Sequence, residues 1–77
     1  MNVSKEEELL ALGSALYLVG LEVEASRSRL SQLLDNGLKL SSPELIEENK
    51  MFNRLSLEFC RLEERFLALK KGIGAES

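Results

Sequence analysis

The sequence predicts an all-α fold, an antiparallel two-helix hairpin whose helices meet along a coiled-coil seam. Three observations predict it. Apolar residues recur at steps of three and four along two long stretches, a short segment of loop-forming residues separates these stretches, and no part of the chain alternates strictly as a β-strand does. The chain of 77 residues is predicted to form one domain with a thin core.

The most regular stretch lies in the second half of the chain. Its apolar residues follow one another at three- and four-residue steps without a break, and they include all three phenylalanines of the protein. They are Phe52, Leu55, Phe59, Leu62, Phe66 and Leu69. This spacing produces a narrow apolar stripe, which is typical of a helix that lies along one partner helix.

The first predicted helix covers about residues 5–36. Ser4 followed by Glu7 is a capping-box pattern at its start. Gly37 suits the left-handed position after the last turn, and Leu38 would then fold back onto that turn. The apolar positions in between are Leu9, Leu12, Leu16, Val19, Val23, Leu30 and Leu33, with Ser26 as the one polar residue of the series.

A loop and a second helix complete the predicted hairpin, over residues 37–42 and about 43–71. The sequence allows two alternative N-cap residues for the second helix. Ser42 as the N-cap places Pro43 at the first helical position, whereas Ser41 as the N-cap pairs with Glu44 in a capping box. Gly72 is expected to end the helix and to leave a short C-terminal tail.

The short connection makes the two helices antiparallel neighbours. Folding the chain about the loop then pairs positions whose numbers add to about 79, and the two apolar stripes face each other in this register. Val19 faces Phe59 and Cys60, and Ser26 lies level with Asn53. Cys60 is expected to be a small buried hydrophobic residue beside the seam.

The N-terminal half of the first helix is apolar on nearly every side. Four large side chains point away from the seam: Leu10, Tyr17, Leu18 and Leu21. Gly13 and Gly20 share a side of the helix and would let another backbone approach closely. One partner helix cannot cover all of this surface, so the sequence predicts a homodimer in the form of a four-helix bundle.

Composition excludes several classes of function. The net charge is −3 and no stripe of Lys and Arg is present, so we expect no nucleic-acid partner. The absence of histidine and the single cysteine exclude a structural zinc site and an intrachain disulfide, and they indicate the cytoplasm. The uncharged segment Leu9–Leu21 is shorter than the ~18 apolar residues of a membrane span, so no membrane partner is expected.

The sequence contains no metal-ligand set, no nucleophile–base pair and no glycine-rich phosphate loop. We therefore expect no cofactor and no free-standing enzyme chemistry. A polar cluster near the loop remains. Asn49 and Asn53 lie four residues apart on one helical face, with Arg27 and Ser26 opposite. This cluster is interpreted either as a polar layer that fixes the register of the helices or as a surface that recognises a partner or positions a water molecule.

Two segments carry a resemblance to a known family. The segment Val23–Leu30 contains the order hydrophobic, Glu, x, x, Arg, x, x, Leu, and the segment Leu40–Glu47 reads Leu-Ser-Ser-Pro-Glu-Leu-Ile-Glu. Both resemble the small sporulation aspartyl-phosphate phosphatases of the stage-zero sporulation E type, with Leu55 and Phe59 at positions where that family has Leu and an aromatic residue. The resemblance extends from about Leu21 to Phe59.

The family's hallmark, Ser-Gln-Glu-Leu-Asp, falls on Asn49, Lys50, Met51, Phe52 and Asn53, where only the apolar residue is kept. The resemblance implies a protein that binds a phosphorylated response-regulator receiver domain and modulates its aspartyl phosphate. It places Asn53 at the phosphoryl group in the position of the family's acid. The partner-binding residues implied are Asn49, Lys50, Arg54 and Arg27.

Three outcomes stay open at this stage. Asn53 could position the attacking water, since an amide donates and accepts hydrogen bonds, and the protein would then be an aspartyl-phosphate phosphatase. The hairpin could instead bind the receiver without hydrolysis. It could also be a non-enzymatic oligomeric scaffold or a protein-interaction module.

Overall fold

A computed structural model describes residues 4–76. It contains two helices, α1 (Lys5–Asp35) and α2 (Pro43–Glu76), which pack against each other in an antiparallel hairpin about 54 Å long and 19 Å wide. The predicted all-α hairpin is confirmed. The radius of gyration is 17.0 Å, whereas a compact domain of this length has one of about 11–12 Å.

Both ends of α1 are capped as the sequence predicts. The Ser4 hydroxyl accepts a hydrogen bond from the Glu7 amide at 3.1 Å. At the other end, Gly37 has a φ of +82°, and the Leu38 amide donates to the Leu33 carbonyl at 3.2 Å. The Gly37 amide donates to the Leu34 carbonyl, which completes a Schellman motif.

The start of α2 decides between the two open alternatives. Because α2 begins at Pro43, Ser42 is the N-cap residue, and its carbonyl accepts the Ile46 amide at 3.0 Å. Proline is favoured at this position because its missing amide has no partner within the helix. The Ser42 hydroxyl is buried and has no hydrogen-bond partner in the described part of the chain, so only its backbone caps the helix.

The predicted end of α2 is wrong. Gly72 does not stop the helix, which continues to Glu76 and includes most of the expected tail. Ile73 supplies the physical reason, because it lies four residues after Leu69, continues the apolar series and is half-buried. Glycine permits a left-handed turn without imposing one, and in the described chain only Gly37 adopts a positive φ.

The two helices pack in the register expected from the sequence. The Phe66 ring lies 3.5 Å from where a Cβ would stand on Gly13, and the Phe59 ring lies 3.4 Å from the same point on Gly20. Both pairs of numbers add to 79. The two glycines therefore admit phenylalanine rings of α2, whereas the sequence had suggested that they admit another backbone.

The core of the hairpin is small. Within the described residues, the buried apolar side chains are Leu12, Leu45 and Leu55. The other seam residues, including Phe52, Phe59 and Phe66, are half-buried because a single partner helix covers only one side of each. Two helices alone therefore leave much apolar surface in contact with water.

Helix α1 is long and apolar enough to cross a membrane by length and composition, and only 17% of its most apolar 18-residue window is buried. The sequence-based expectation of no span considered the shorter segment Leu9–Leu21. That the window is so little buried indicates a large uncovered apolar face on α1.

Candidate functional site

The structure places four of the predicted site residues together on the outward surface of α2, near the loop. Asn49, Lys50, Asn53 and Arg54 are all exposed. Their spacing of one, three and four residues puts them on adjacent turns of one helical face. We refer to these four residues as the α2 outer patch.

Two cationic side chains stand beside the Asn53 carboxamide in this patch. Lys50 pairs weakly with Glu47, at 3.7 Å between Nζ and Oε1, and both side chains are largely exposed. Arg54 makes no ion pair in the described part of the chain, and the Asn53 side chain makes no hydrogen bond there. The patch therefore offers a free amide and a free guanidinium to solvent.

Arg27 is not brought into this patch. It lies on α1 and pairs with Glu24 of its own helix at 3.7 Å, with both side chains more than two-thirds exposed. Between residues 4 and 76 it has no hydrogen bond or ion pair with the α2 outer patch. An exposed pair of this kind contributes at most a few tenths of a kcal/mol to stability.

A polar layer does cross the seam, but its members differ from those expected. Ser26 is fully buried, and its hydroxyl donates to Glu48 Oε2 at 2.6 Å. Arg29 Nε donates to Glu48 Oε1 at 2.9 Å. Asn49 and Asn53 are exposed instead, so the predicted pairing of Ser26 with Asn53 is wrong as a side-chain contact.

Sequence reasoning missed Arg29, which is half exposed and also donates from Nη2 to Met51 Sδ at 3.7 Å. The position of Arg29, three residues after Ser26, could have indicated that it belongs to the polar layer. That spacing puts the two side chains on one face of α1, and Glu48 lies four residues before Phe52, at the start of the apolar series opposite them.

The layer holds Glu48 in its charged form. The hydrogen bond from Arg29 lowers the pKa of the Glu48 carboxyl below its usual 4.5, the hydrogen bond from Ser26 lowers it further, and partial burial opposes both. A lowered pKa in the folded state stabilises the fold above about pH 4.5. This contribution is lost as the pH falls through the folded-state pKa.

We therefore expect Glu48→Gln to lower the free energy of unfolding at pH 7 by about 1–2 kcal/mol. Hydrogen bonds to charged groups typically contribute somewhat more, but Arg29 is half exposed and water weakens its interaction with Glu48. Urea titrations at fixed protein concentration measure this value. The deficit relative to the natural chain should shrink as the pH falls through the folded-state pKa of Glu48, because the natural chain then loses the contribution of the charged carboxylate. Glu47→Gln is the matched control, since that carboxylate is 76% exposed. Equal effects of the two variants would contradict a structural role of the layer.

An apolar groove of about 420 Å³ lies beside the α2 outer patch at the loop end of the hairpin. It is bordered by Asn49 and Lys50 of the patch, and its apolar walls are Leu30, Leu34, Leu40, Leu45 and Ile46. Leu40 is 79% exposed. Polar and apolar contacts are thus available side by side, as in a protein–protein interface.

Two further predictions concern cysteine and metals. Cys60 is exposed, contrary to the expected burial. It follows Phe59 by one residue, and the 100° rotation per residue carries it past the edge of the narrow seam. Over residues 4–76, no three His, Cys, Asp or Glu side chains are grouped as metal ligands would be.

Comparison of the chain with known proteins finds no matching family model, no similar curated protein and no similar solved structure.

Proposed function

We propose that this hairpin binds a phosphorylated response-regulator receiver domain and modulates its aspartyl phosphate, in a signalling system of the sporulation type. The observation that carries the proposal is the exposed, unpartnered carboxamide of Asn53 beside Lys50 and Arg54. In this proposal the protein acts as a homodimer in the cytoplasm, without a cofactor, a nucleic acid or a membrane.

The charges of the patch suit an anionic target. Lys50 and Arg54 attract a phosphoryl group, and a guanidinium can bind phosphate oxygens in a bidentate manner. Asn53 lies at the position where the sporulation phosphatases that the sequence resembles have an aspartate. An amide there carries no negative charge that would repel the phosphoryl group, and it retains a donor and an acceptor for a water molecule.

In this hydrolysis the hairpin itself would form no covalent bond. Water attacks the phosphorus, the bond between phosphorus and the aspartyl oxygen breaks, and the receiver regains its carboxylate as inorganic phosphate leaves. The resemblance implies that the receiver supplies the metal ion and a lysine, so the hairpin would only orient the water. The neighbouring apolar groove would add affinity by taking up apolar side chains of the receiver.

The test is to mix the protein with candidate phosphorylated receivers and to follow complex formation and phosphate release separately. We expect Asn53→Ala to slow phosphate release by about 100-fold, the typical cost of a misplaced reactant. Gln32→Ala is the matched control, since it removes an exposed amide on α1 outside the α2 outer patch. Circular dichroism checks that both variants keep their helices.

The outcomes separate the alternatives that the sequence leaves open. Phosphate release that is lost in Asn53→Ala and kept in Gln32→Ala supports water positioning. Binding without phosphate release, weakened by Arg54→Ala, identifies a protein that sequesters or protects the phosphorylated receiver. If no receiver binds at micromolar concentration, the proposed function is wrong.

A non-enzymatic oligomeric scaffold is the second candidate function. The observation that favours it is the set of exposed large apolar side chains on the outward face of α1, which does not take part in the proposed contact with the receiver. A scaffold would leave the α2 outer patch without energetic importance. Simultaneous replacement of Asn53 and Arg54 by alanine would then change no interaction of the protein.

A further inference from the structure

The hairpin exposes more surface than a folded chain of its mass normally does. Its solvent-accessible surface is 6030 Å², whereas a compact monomer of 8.6 kDa exposes about 4,700 Å². The excess of about 1,300 Å² exceeds the ~800 Å² per partner of a standard protein–protein interface. The elongated hairpin therefore has enough additional surface for an interface of standard size with a folded partner.

Several of the exposed large apolar side chains lie on the outward face of the N-terminal half of α1. The exposed fractions there are 73% for Leu10, 68% for Tyr17, 60% for Leu18 and 52% for Leu21. A groove of about 640 Å³ runs over this face, bordered by Gly13, Ser14 and Phe66 among others. We refer to this surface as the α1 outer face.

We propose that a second copy of this chain covers the α1 outer face, with the two α1 helices packed antiparallel about a two-fold axis between Ser14 and Tyr17. Residues that face each other then have numbers that add to about 31. Leu10 faces Leu21 of the other copy, and Ser14 faces Tyr17. The result is a four-helix assembly with both α1 helices at its centre.

The order of residues along the α1 outer face favours this arrangement. Leu10, Ser14, Tyr17 and Leu21 follow one another at steps of four, three and four, so they form one stripe. The stripe has a leucine at each end and a serine and a tyrosine between them. Two copies that run in opposite directions can therefore align leucine with leucine and serine with tyrosine. An antiparallel two-fold axis therefore places each tyrosine against a serine of the other copy, which leaves room for the ring.

The charges of α2 argue against a lipid bilayer as the cover. In the observed register, the segment Arg61–Arg65 lies beside the N-terminal half of α1, and it contains Glu63 and Glu64. If α1 spanned a bilayer while packed on α2, these four charged residues would enter the hydrocarbon region at high cost. A second hairpin covers the α1 outer face and leaves these charges in water.

The proposed interface is separate from the α2 outer patch, which lies at the loop end of the hairpin on the other helix. The proposal specifies the contact within the homodimer that the proposed function names, and its tests do not require a receiver. Both copies would keep their α2 outer patch accessible, so one dimer would bind two partner molecules.

The first test uses sedimentation equilibrium at tens of micromolar. We expect the natural chain to have twice the monomer mass, and Leu21→Glu to raise the dimer dissociation constant by at least about 30-fold, the effect of removing a hot-spot residue. Leu57→Glu is the matched control, because Leu57 is 53% exposed and lies on α2. The double variant Leu10→Lys with Leu21→Glu should restore the dimer, since each lysine then faces a glutamate of the other copy.

A second test remains decisive where a variant folds poorly. Chains carrying Ser14→Cys and chains carrying Tyr17→Cys, both with Cys60→Ser, are mixed and oxidised, and the products are weighed by mass spectrometry. We expect the mixed disulfide to dominate. Predominant like-with-like disulfides would overturn the antiparallel arrangement. A monomeric natural chain, or one that binds vesicles of neutral phospholipid in place of dimerising, would overturn the proposal as a whole.

Discussion

Replacing Leu62 with proline should abolish most of the helical signal in circular dichroism. Leu62 lies near the middle of α2 and is half-buried on the seam. Proline removes a hydrogen bond of the helix and clashes with the preceding turn, which costs about 3 kcal/mol or more. A small chain with a thin core has only about 3–5 kcal/mol of stability, so this loss is enough to unfold it.

Leu62→Ala is the control for this experiment, because alanine removes the same apolar side chain and keeps the backbone hydrogen bond. We expect Leu62→Ala to lower the midpoint of urea unfolding while the helical signal in water is retained. The ellipticity at 222 nm distinguishes the two variants. A native helical signal in Leu62→Pro would show that α2 is not one continuous helix through this position.

The second large effect is expected at Leu55, one of the buried apolar residues, which is 8% exposed. Leu55→Ala should lower the free energy of unfolding by about 2–5 kcal/mol, because it removes buried methyl groups and leaves a cavity between the helices. Denaturant titrations at one protein concentration measure the change. A fixed concentration matters because dimerisation adds to the apparent stability.

Leu57→Ala provides the comparison for Leu55. It makes the same chemical change two residues away, at a side chain that is 53% exposed. We expect this control to lie within about 0.5 kcal/mol of the natural chain, as is usual for surface substitutions. Equal losses for the two variants would contradict the orientation of α2 on the seam.

If these predictions hold, the hairpin is a rod with two separate surfaces. Its thin seam sets the register, and the buried layer of Ser26, Glu48 and Arg29 adds a polar contact across it. The α1 outer face and the α2 outer patch are then available for different partners. Variants such as Leu21→Glu and Asn53→Ala should therefore have independent effects on dimerisation and on receiver binding.

The sequence by itself determined the fold class, the two helices and their register. It also determined the cap at Ser4 and the turn at Gly37, since both depend on hydrogen bonds between residues a few positions apart. Local patterns of this kind are legible because the geometry of a helix repeats every 3.6 residues. The family resemblance added an expectation about function that no structural feature derives.

Only the tertiary structure decided which polar side chains meet across the seam. Glu48 takes the position opposite Ser26 and Arg29, while Asn49 and Asn53 turn to solvent. The continuation of α2 past Gly72 and the exposure of Cys60 were likewise decided by packing. The physical reason is that one partner helix covers only a narrow arc of α2. A rotation of 100° between neighbouring residues therefore separates a buried side chain from an exposed one.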